Sequence, residues 1–305
     1  MTRTNASLML LCAAFFWGAG NVANKTVLKN LDPMTVVCLR TMIAALVMVP
    51  FALRERGGAP GWWKGALFTG LLFTGAMVLQ QMAYQDTTVT NASFLVNTAS
   101  ILTPLIGWLV LRHRPAPQVL VAAFVTLAGA FLMAGQVSLA HLNRGDIACL
   151  ASAVFYAGWM VALSAHAARH HRPFGTCLVQ FLVTAFVLSP VMLRMQPTLG
   201  SVRAALPELL ILGLFSTAAA FLLQTWGQRY VAAPVAAVLV SAESIFGAFA
   251  AWLLLNEQTP ASGLTGAALI LIAIAIAASA AERTITPGAV RISSTEPESV
   301  CVKEA

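Results

Sequence analysis

Two ionisable side chains lie inside long apolar stretches of this sequence. Glu243 is near the middle of the run 232–255, and Arg40 follows Pro33 by seven residues. An ionisable group inside a bilayer costs about 2.5–3.5 kcal/mol on insertion scales, so such residues are candidates for function. Glu243 could bind a ligand amine or carry a proton. Arg40 could clamp a carboxylate or act as a gate.

Each of these two residues also has a purely structural interpretation. A buried ion pair or hydrogen bond could use either side chain to fix helix packing. For Glu243 the two interpretations stay open. For Arg40 the structural one is favoured, because its long side chain could snorkel outward to the membrane surface.

Helical spacing gathers further polar and aromatic residues on shared faces. The ninth apolar run poses a choice, because Ser241 and Glu243 are about 200° apart on a helix and only one can face a central cavity. Glu243 is preferred, since a charge needs water or a partner more than a hydroxyl does. Amides near the ends of the third and eighth runs either line the same site or bond across helices. The candidate binding residues are Trp17, Asn21, Gln81, Tyr84, Asn97, Ser100, Tyr156, Trp159, Gln224 and Ser241.

The composition shows which solvent these residues meet. The chain has 305 residues, of which 59% are hydrophobic and 10% charged, with a mean hydropathy of +0.80. Soluble domains are nearer one-quarter charged. The composition excludes a disordered chain and a disulfide scaffold, and the scattered cations of a +7 net charge exclude a nucleic-acid binder. The five cysteines have no spacing typical of a metal or redox site. We therefore predict an integral membrane protein without cofactor or metal.

A spanning helix needs about 20 mostly apolar residues, and ten such runs are present. Twelve Lys and Arg residues fall on the side that holds the N-terminus, against Lys25, Lys29, Arg144, Arg194 and Arg203 on the other side. This bias predicts that both termini are cytoplasmic. Residues 282–305 are predicted to form a disordered polar tail. The predicted spans are 8–27, 33–53, 63–84, 89–111, 117–137, 146–166, 174–195, 206–227, 232–255 and 262–281.

The second half of the chain repeats the first. At a spacing of 140 residues Pro173 and Pro190 match Pro33 and Pro50, and at 144 residues Trp252 matches Trp108. Because each half has an odd number of spans, the second half must enter the membrane from the opposite side. The predicted fold is all-α, with ten transmembrane helices arranged as two inverted five-helix repeats (8–137 and 146–281) around a central cavity.

These motifs resemble the paired EamA domains of the drug/metabolite transporter superfamily. The likeness covers residues 8–281. It implies a carrier of the inner membrane, often an exporter of amino acids or related metabolites, with a cavity ringed by helices 1, 3, 4, 6, 8 and 9. The residues that carry the resemblance are Trp17-Gly18-x-x-Asn21, Pro33 with Leu39-Arg40, and Ala236 followed by Glu243 and the segment from Ala251 to Glu257.

We therefore expect a secondary transporter that moves a small amphipathic metabolite by alternating access, with export favoured over import. The expected partners are that solute, the lipid bilayer and, through Glu243, protons; a monomer or weak homodimer is expected. An intramembrane enzyme acting on a lipid-linked substrate would need a catalytic set of residues at depth. A channel would need rings of carbonyls or charges. The sequence offers neither pattern, so both remain only as alternatives.

Overall fold

The computed structural model describes residues 2–56, 59–112, 114–134, 142–258 and 262–283. Within these residues it contains ten helical segments that are long and apolar enough to cross a membrane. The all-α prediction and the count of ten are confirmed. From residue 284 onward, the predicted tail lies outside the described residues.

Most span boundaries lie within three residues of the predicted ones, although spans 1 and 6 are longer. We number the spans 1 to 10 in chain order and give their helices. They are Arg3–Thr26 (with a 3-10 turn, Val27–Lys29), Pro33–Arg54, Trp62–Ala83, Val89–Val96 plus Ala99–Leu111, Pro117–Ala134, Arg144–Arg169, Pro173–Met195, Leu206–Leu210 continuing through Ile211–Ala219 and Ala220–Gly227, Ala233–Val240 plus Glu243–Leu255, and Gly263–Arg283. A short helix, Leu199–Ala204, precedes span 8.

Polar side chains fix where two of these helices begin. The Asp32 carboxylate accepts hydrogen bonds from the backbone N–H groups of Met34 and Thr35, both at 3.0 Å, and Pro33 opens span 2. Asn143 and Asp146 form a reciprocal capping box at the start of span 6. Capping satisfies backbone donors that have no partner within the helix.

Spans 4, 8 and 9 depart from regular α-helix in their interior, which hydropathy did not reveal. Spans 4 and 9 are each interrupted near mid-membrane, at residues 97–98 and 241–242. Bonds from residue i to i−3 tighten both turns, such as Ser100 N–H to Asn97 O and Ser244 N–H to Ser241 O. In span 8, residues 211–219 form a π-helix. Interrupted spans of this kind are typical of transporter binding sites.

The packing has the pseudo-symmetry of two repeats. Span 2 packs on span 7, span 5 on span 10, and span 3 on span 6. Span 1 packs on spans 8 and 9, while span 6 packs on the equivalent spans 3 and 4. The first half of span 4 contacts the second half of span 9, and the reverse contact is also present, so these two spans are antiparallel. This arrangement agrees with inverted repeats.

The connections at the two ends of the molecule follow the same topology. Beyond span 2, the Glu55 carboxylate accepts hydrogen bonds from the N–H groups of Gly175 (2.8 Å) and Phe174 (3.3 Å), at the start of span 7. Burial raises the pKa of Glu55, while these two donors and Arg172, 3.9 Å away, oppose the rise. At the opposite end, Thr90 donates to Glu257 at 3.0 Å, which joins the start of span 4 to the end of span 9.

Candidate functional site

A cavity lies at the meeting point of the two repeats. Its volume is about 630 Å³, counting its opening. Spans 1, 3, 4, 6, 8 and 9 contribute, as the resemblance implies, and span 2 adds Arg40. The lining residues are Trp17, Asn21, Asn24, Arg40, Met77, Gln80, Val96, Asn97, Ala99, Ser100, Tyr156, Trp159, Met160, Ser216, Phe221, Ala237, Val240 and Glu243.

Arg40 points into the protein and is only 3% exposed. Its guanidinium donates to Asn24 Oδ1 (2.7 Å), Thr217 Oγ1 (2.8 Å) and Ser216 Oγ (3.1 Å). Arg40 therefore does not snorkel outward, which was the reason given from the sequence for favouring a structural role; its role stays a prediction. The physical reason is that the π-helical part of span 8 brings two hydroxyl acceptors to the guanidinium inside the protein.

Glu243 also lines the cavity. Its Oε1 accepts a hydrogen bond from Asn21 Nδ2 at 2.8 Å. Glu243 is the first residue of the second helix of span 9. The positive end of a helix dipole favours a carboxylate at that position. The interruption in span 9 therefore creates a favourable place for a charge inside the membrane.

Two asparagines connect these charges. Arg40 donates to Asn24 Oδ1, Asn24 Nδ2 donates to Asn21 Oδ1 (3.2 Å), and Asn21 Nδ2 donates to Glu243. No direct ion pair between Arg40 and Glu243 occurs in the described part of the chain. A positive and a negative group therefore share one cavity without neutralising each other by contact.

Aromatic rings from spans 1, 6 and 8 also line the cavity. The rings of Trp17 and Phe221 lie 4.8 Å apart, and those of Trp159 and Phe221 lie 5.5 Å apart. Each polar ring atom has a partner. The Trp17 indole N–H donates to Ser216 O (3.0 Å), and the Tyr156 hydroxyl donates to Gln80 Oε1 (2.7 Å). These rings offer an apolar surface for a hydrophobic group.

The interruption in span 4 places two further polar groups at the cavity wall. Asn97 Nδ2 donates to Ser244 Oγ across spans 4 and 9. The buried hydroxyl of Ser100 has no hydrogen-bond partner, although it lines the cavity. Because an unpaired buried hydroxyl is costly, Ser100 is well suited to bind a polar group of a solute.

The structure brings together eight of the twelve predicted site residues. Gln81, Tyr84, Gln224 and Ser241 do not line the cavity. Gln81 donates to Asn24 O (2.9 Å) and Tyr84 to Asn21 Oδ1 (2.8 Å), so both lie behind the asparagines. The binding roles of ten of these residues and the coupling or gating roles of Glu243 and Arg40 stay predictions.

Gln224 and Ser241 are turned away for local reasons. Gln224 is fully buried and donates to Gln228 Oε1 at 3.0 Å. It follows the π-helix, whose wider turns rotate every later residue relative to a regular helix. Ser241 donates to Val238 O at 2.5 Å, back to the helix that ends just before it. Of the pair in span 9, Glu243 is therefore the one that faces the cavity.

Sequence reasoning missed several lining residues. Asn24 shares the helical face of Trp17 and Asn21, so its spacing carried a usable signal. Ser216 carried none, because its position depends on the π-helix. Among the described residues, no group of three His, Cys, Asp or Glu is placed to hold a metal ion.

Comparisons with known proteins agree with this architecture. Residues 4–135 and 143–279 each match the sequence model described as the EamA-like transporter family. An uncharacterized transporter of Archaeoglobus fulgidus is 28% identical over 90% of this chain and 86% of its own length. The uncharacterized transporter YwfM of Bacillus subtilis is 23% identical over 94% of this chain and 98% of its own. One solved crystal structure is similar in fold, with a TM-score of 0.74 and 19% identity, covering 93% of this chain and all of that one.

Proposed function

The chain belongs to the EamA-like transporter family, and we propose that it carries a small zwitterionic, amphipathic metabolite such as an amino acid. One observation carries this proposal. The cavity holds the guanidinium of Arg40 and the carboxylate of Glu243 without a direct contact between them, beside a wall of aromatic rings. A zwitterion with an apolar side chain presents the three complementary groups.

The geometry supports a specific orientation of the solute. Its carboxylate would bind Arg40, where charge-assisted hydrogen bonds are strongest, and its ammonium would bind Glu243. Its side chain would lie against Trp17, Trp159 and Phe221. Ser100, whose hydroxyl has no protein partner, would add a hydrogen bond to the polar end.

Alternating access is the mechanism that the repeat supports. Two inverted halves can exchange conformations, which opens a site at their interface to one side of the membrane and then to the other. The interruptions of spans 4 and 9 lie beside the cavity, where such a movement would act. The Lys and Arg bias supports cytoplasmic termini, and the likeness to drug/metabolite transporters favours the inner membrane and export.

Exchange in liposomes tests the proposal. Purified protein is reconstituted in vesicles loaded with each of the twenty amino acids, and entry of the same labelled amino acid is measured. We expect trans-stimulated exchange of at least one amino acid with an apolar side chain. A channel would give flux without trans-stimulation. Absence of exchange above protein-free vesicles for all twenty would refute the proposal.

Charge recognition is tested with analogues of L-phenylalanine. Phenethylamine lacks the carboxylate, and 3-phenylpropanoate lacks the ammonium. Each should compete at least about tenfold less well than the best amino acid, since one charge-assisted hydrogen bond is worth about 1.5–3 kcal/mol. Equal competition by either analogue would show that the corresponding charge is not recognised.

Proton coupling through Glu243 is a second part of the proposal. A carboxylate in a cavity that opens to each side in turn can bind a proton on one side and release it on the other. Glu243→Gln keeps the volume of the side chain and cannot ionise. We expect it to abolish uphill flux driven by a pH gradient while leaving downhill exchange measurable. Full retention of pH-dependent uphill flux in this variant would exclude coupling at Glu243.

A further inference from the structure

Asn21 is the most fully bonded of the polar side chains that line the cavity. Its Oδ1 accepts from the Tyr84 hydroxyl (2.8 Å) and from Asn24 Nδ2 (3.2 Å). Its Nδ2 donates to Glu243 Oε1 (2.8 Å) and to Ser93 Oγ (3.4 Å). An amide has two donors and two acceptor positions. All four are used, so the orientation of Asn21 depends on each partner.

Tyr84 connects Asn21 to one end of the molecule, which we call the Lys25 end (Lys25 and residues 84–88). The Lys25 ammonium donates to the carbonyl oxygens of Tyr84 (2.8 Å) and Thr87 (2.6 Å). Thr87 in turn donates to Asp146 at 3.0 Å. These bonds hold the ends of spans 1 and 3 and the start of span 6 together at the Lys25 end.

The other repeat makes the equivalent contact in a different way. Tyr84 and Gln228 are equivalent, because each is the first residue after its helix, in spans 3 and 8 respectively. Met160 is the equivalent of Asn21, because 139 residues separate them, as they separate Tyr156 from Trp17. Gln228 donates to the backbone oxygen of Met160 at 3.1 Å. A backbone carbonyl within a helix cannot turn, whereas the side chain of Asn21 can. Of these two contacts, only the one at the Lys25 end is therefore made to a side chain that a solute can displace.

We propose that Asn21 is a positioning residue that couples occupancy of Glu243 to opening of the Lys25 end through Tyr84. The proposal rests on the proposed function, because the ammonium of the solute is the group that takes Glu243 from Asn21. When that bond is lost, the amide turns and the buried Tyr84 hydroxyl loses its acceptor. The end of span 3 is then held less firmly.

Backbone amide exchange in lipid nanodiscs, without solute, tests the coupling. Glu243→Ala removes the acceptor of Asn21 and imitates occupancy. We expect exchange in residues 84–88 to rise about fivefold, the factor that one net hydrogen bond is worth. Tyr84→Phe alone should give the same rise. Glu243→Ala added to Tyr84→Phe should give no further rise.

Controls separate this coupling from general loosening. Exchange in residues 229–232, at the equivalent position of the other repeat, should not change. Thr74→Val removes a buried hydroxyl bond of span 3 to Thr184 that does not reach Asn21, and it should leave both the basal exchange of residues 84–88 and the response to Glu243→Ala as in the native chain. Exchange in span 10 reports correct folding, and Asn21→Ala replaces Glu243→Ala in the cycle if that variant does not fold.

Equal effects of Glu243→Ala with and without the Tyr84 hydroxyl, or no effect in either background, would overturn the coupling. Because no solute is present, this amide-exchange result is independent of the amino-acid exchange assay in liposomes. If the transport assays show no recognition of a zwitterion but amide exchange in residues 84–88 responds as expected, the proposed function alone is refuted. If a zwitterion is recognised but residues 84–88 do not respond, the coupling alone is refuted.

Discussion

Arg40 and Gln180 occupy equivalent positions in the two repeats, each seven residues after the proline that opens its helix. Both are buried. Arg40 donates to Asn24, Ser216 and Thr217 and faces the cavity, whereas Gln180 accepts one bond from Trp159 and its Nε2 has no partner. The repeat thus duplicates the backbone without duplicating the chemistry. In our proposal the shared backbone allows alternating access, and the unequal side chains orient the solute.

Arg40→Gln makes the first repeat like the second and should have the largest effect. Transport of the best amino acid, as kcat/KM, should fall about 100-fold, because the anchor for the solute carboxylate and several charge-assisted bonds are lost. The matched variant Gln180→Leu should lower kcat/KM by less than about threefold. Similar losses in the two variants would show that Arg40 acts only through packing. Full transport by Arg40→Gln, which lacks the charge, would contradict a role of that charge in binding.

A second comparison concerns Gly18 and Ala157, which also occupy equivalent positions. A Cβ on Gly18 would lie 2.7 Å from Glu243 O and 2.5 Å from Phe246 Cβ. Ala157 already carries this methyl group and packs against Ala99 and Ala153. Spans 1 and 9 are therefore closer together than spans 6 and 4.

Gly18→Ala should consequently be costly although it only copies the second repeat. We expect it to destabilise the protein by about 1–3 kcal/mol through overpacking and to displace Glu243 from Asn21. Thermal unfolding in detergent with a parallel exchange assay measures both effects. Ala157→Gly serves as the control and should retain transport, with a loss of stability of about 1 kcal/mol from helix propensity. If Gly18→Ala melted at the same temperature as the native protein, the close contact between spans 1 and 9 would be absent.

The aromatic counterparts Trp17 and Tyr156 provide the smallest expected difference. Trp17→Phe removes a hydrogen bond to the fixed carbonyl of Ser216, and Tyr156→Phe removes one to the flexible side chain of Gln80. We expect KM to rise about fivefold in Trp17→Phe and less in Tyr156→Phe, because Gln80 can find another partner. A larger rise of KM in Tyr156→Phe than in Trp17→Phe, measured in competition assays, would contradict these roles of the two rings.

Hydropathy located the spans, yet it could not reveal how three of them are built. The interruptions at residues 97–98 and 241–242 and the π-helix at 211–219 alter the hydrogen-bond pattern without altering the apolar composition. These irregularities explain most differences between the predicted and observed site. Glu243 gains the start of a helix, Ser216 and Thr217 reach Arg40, and Gln224 turns away from the cavity.

The sequence by itself determined that this is an all-α membrane protein of ten spans in two repeats, because lipid requires long apolar helices and the repeats are visible as matching residues at nearly constant spacing. Tertiary structure alone decided which polar groups meet. The direction of Arg40 depended on acceptors in span 8, about 176 residues along the chain. A buried charge points to where its partners lie, and partners distant in the sequence are known only once the helices are packed.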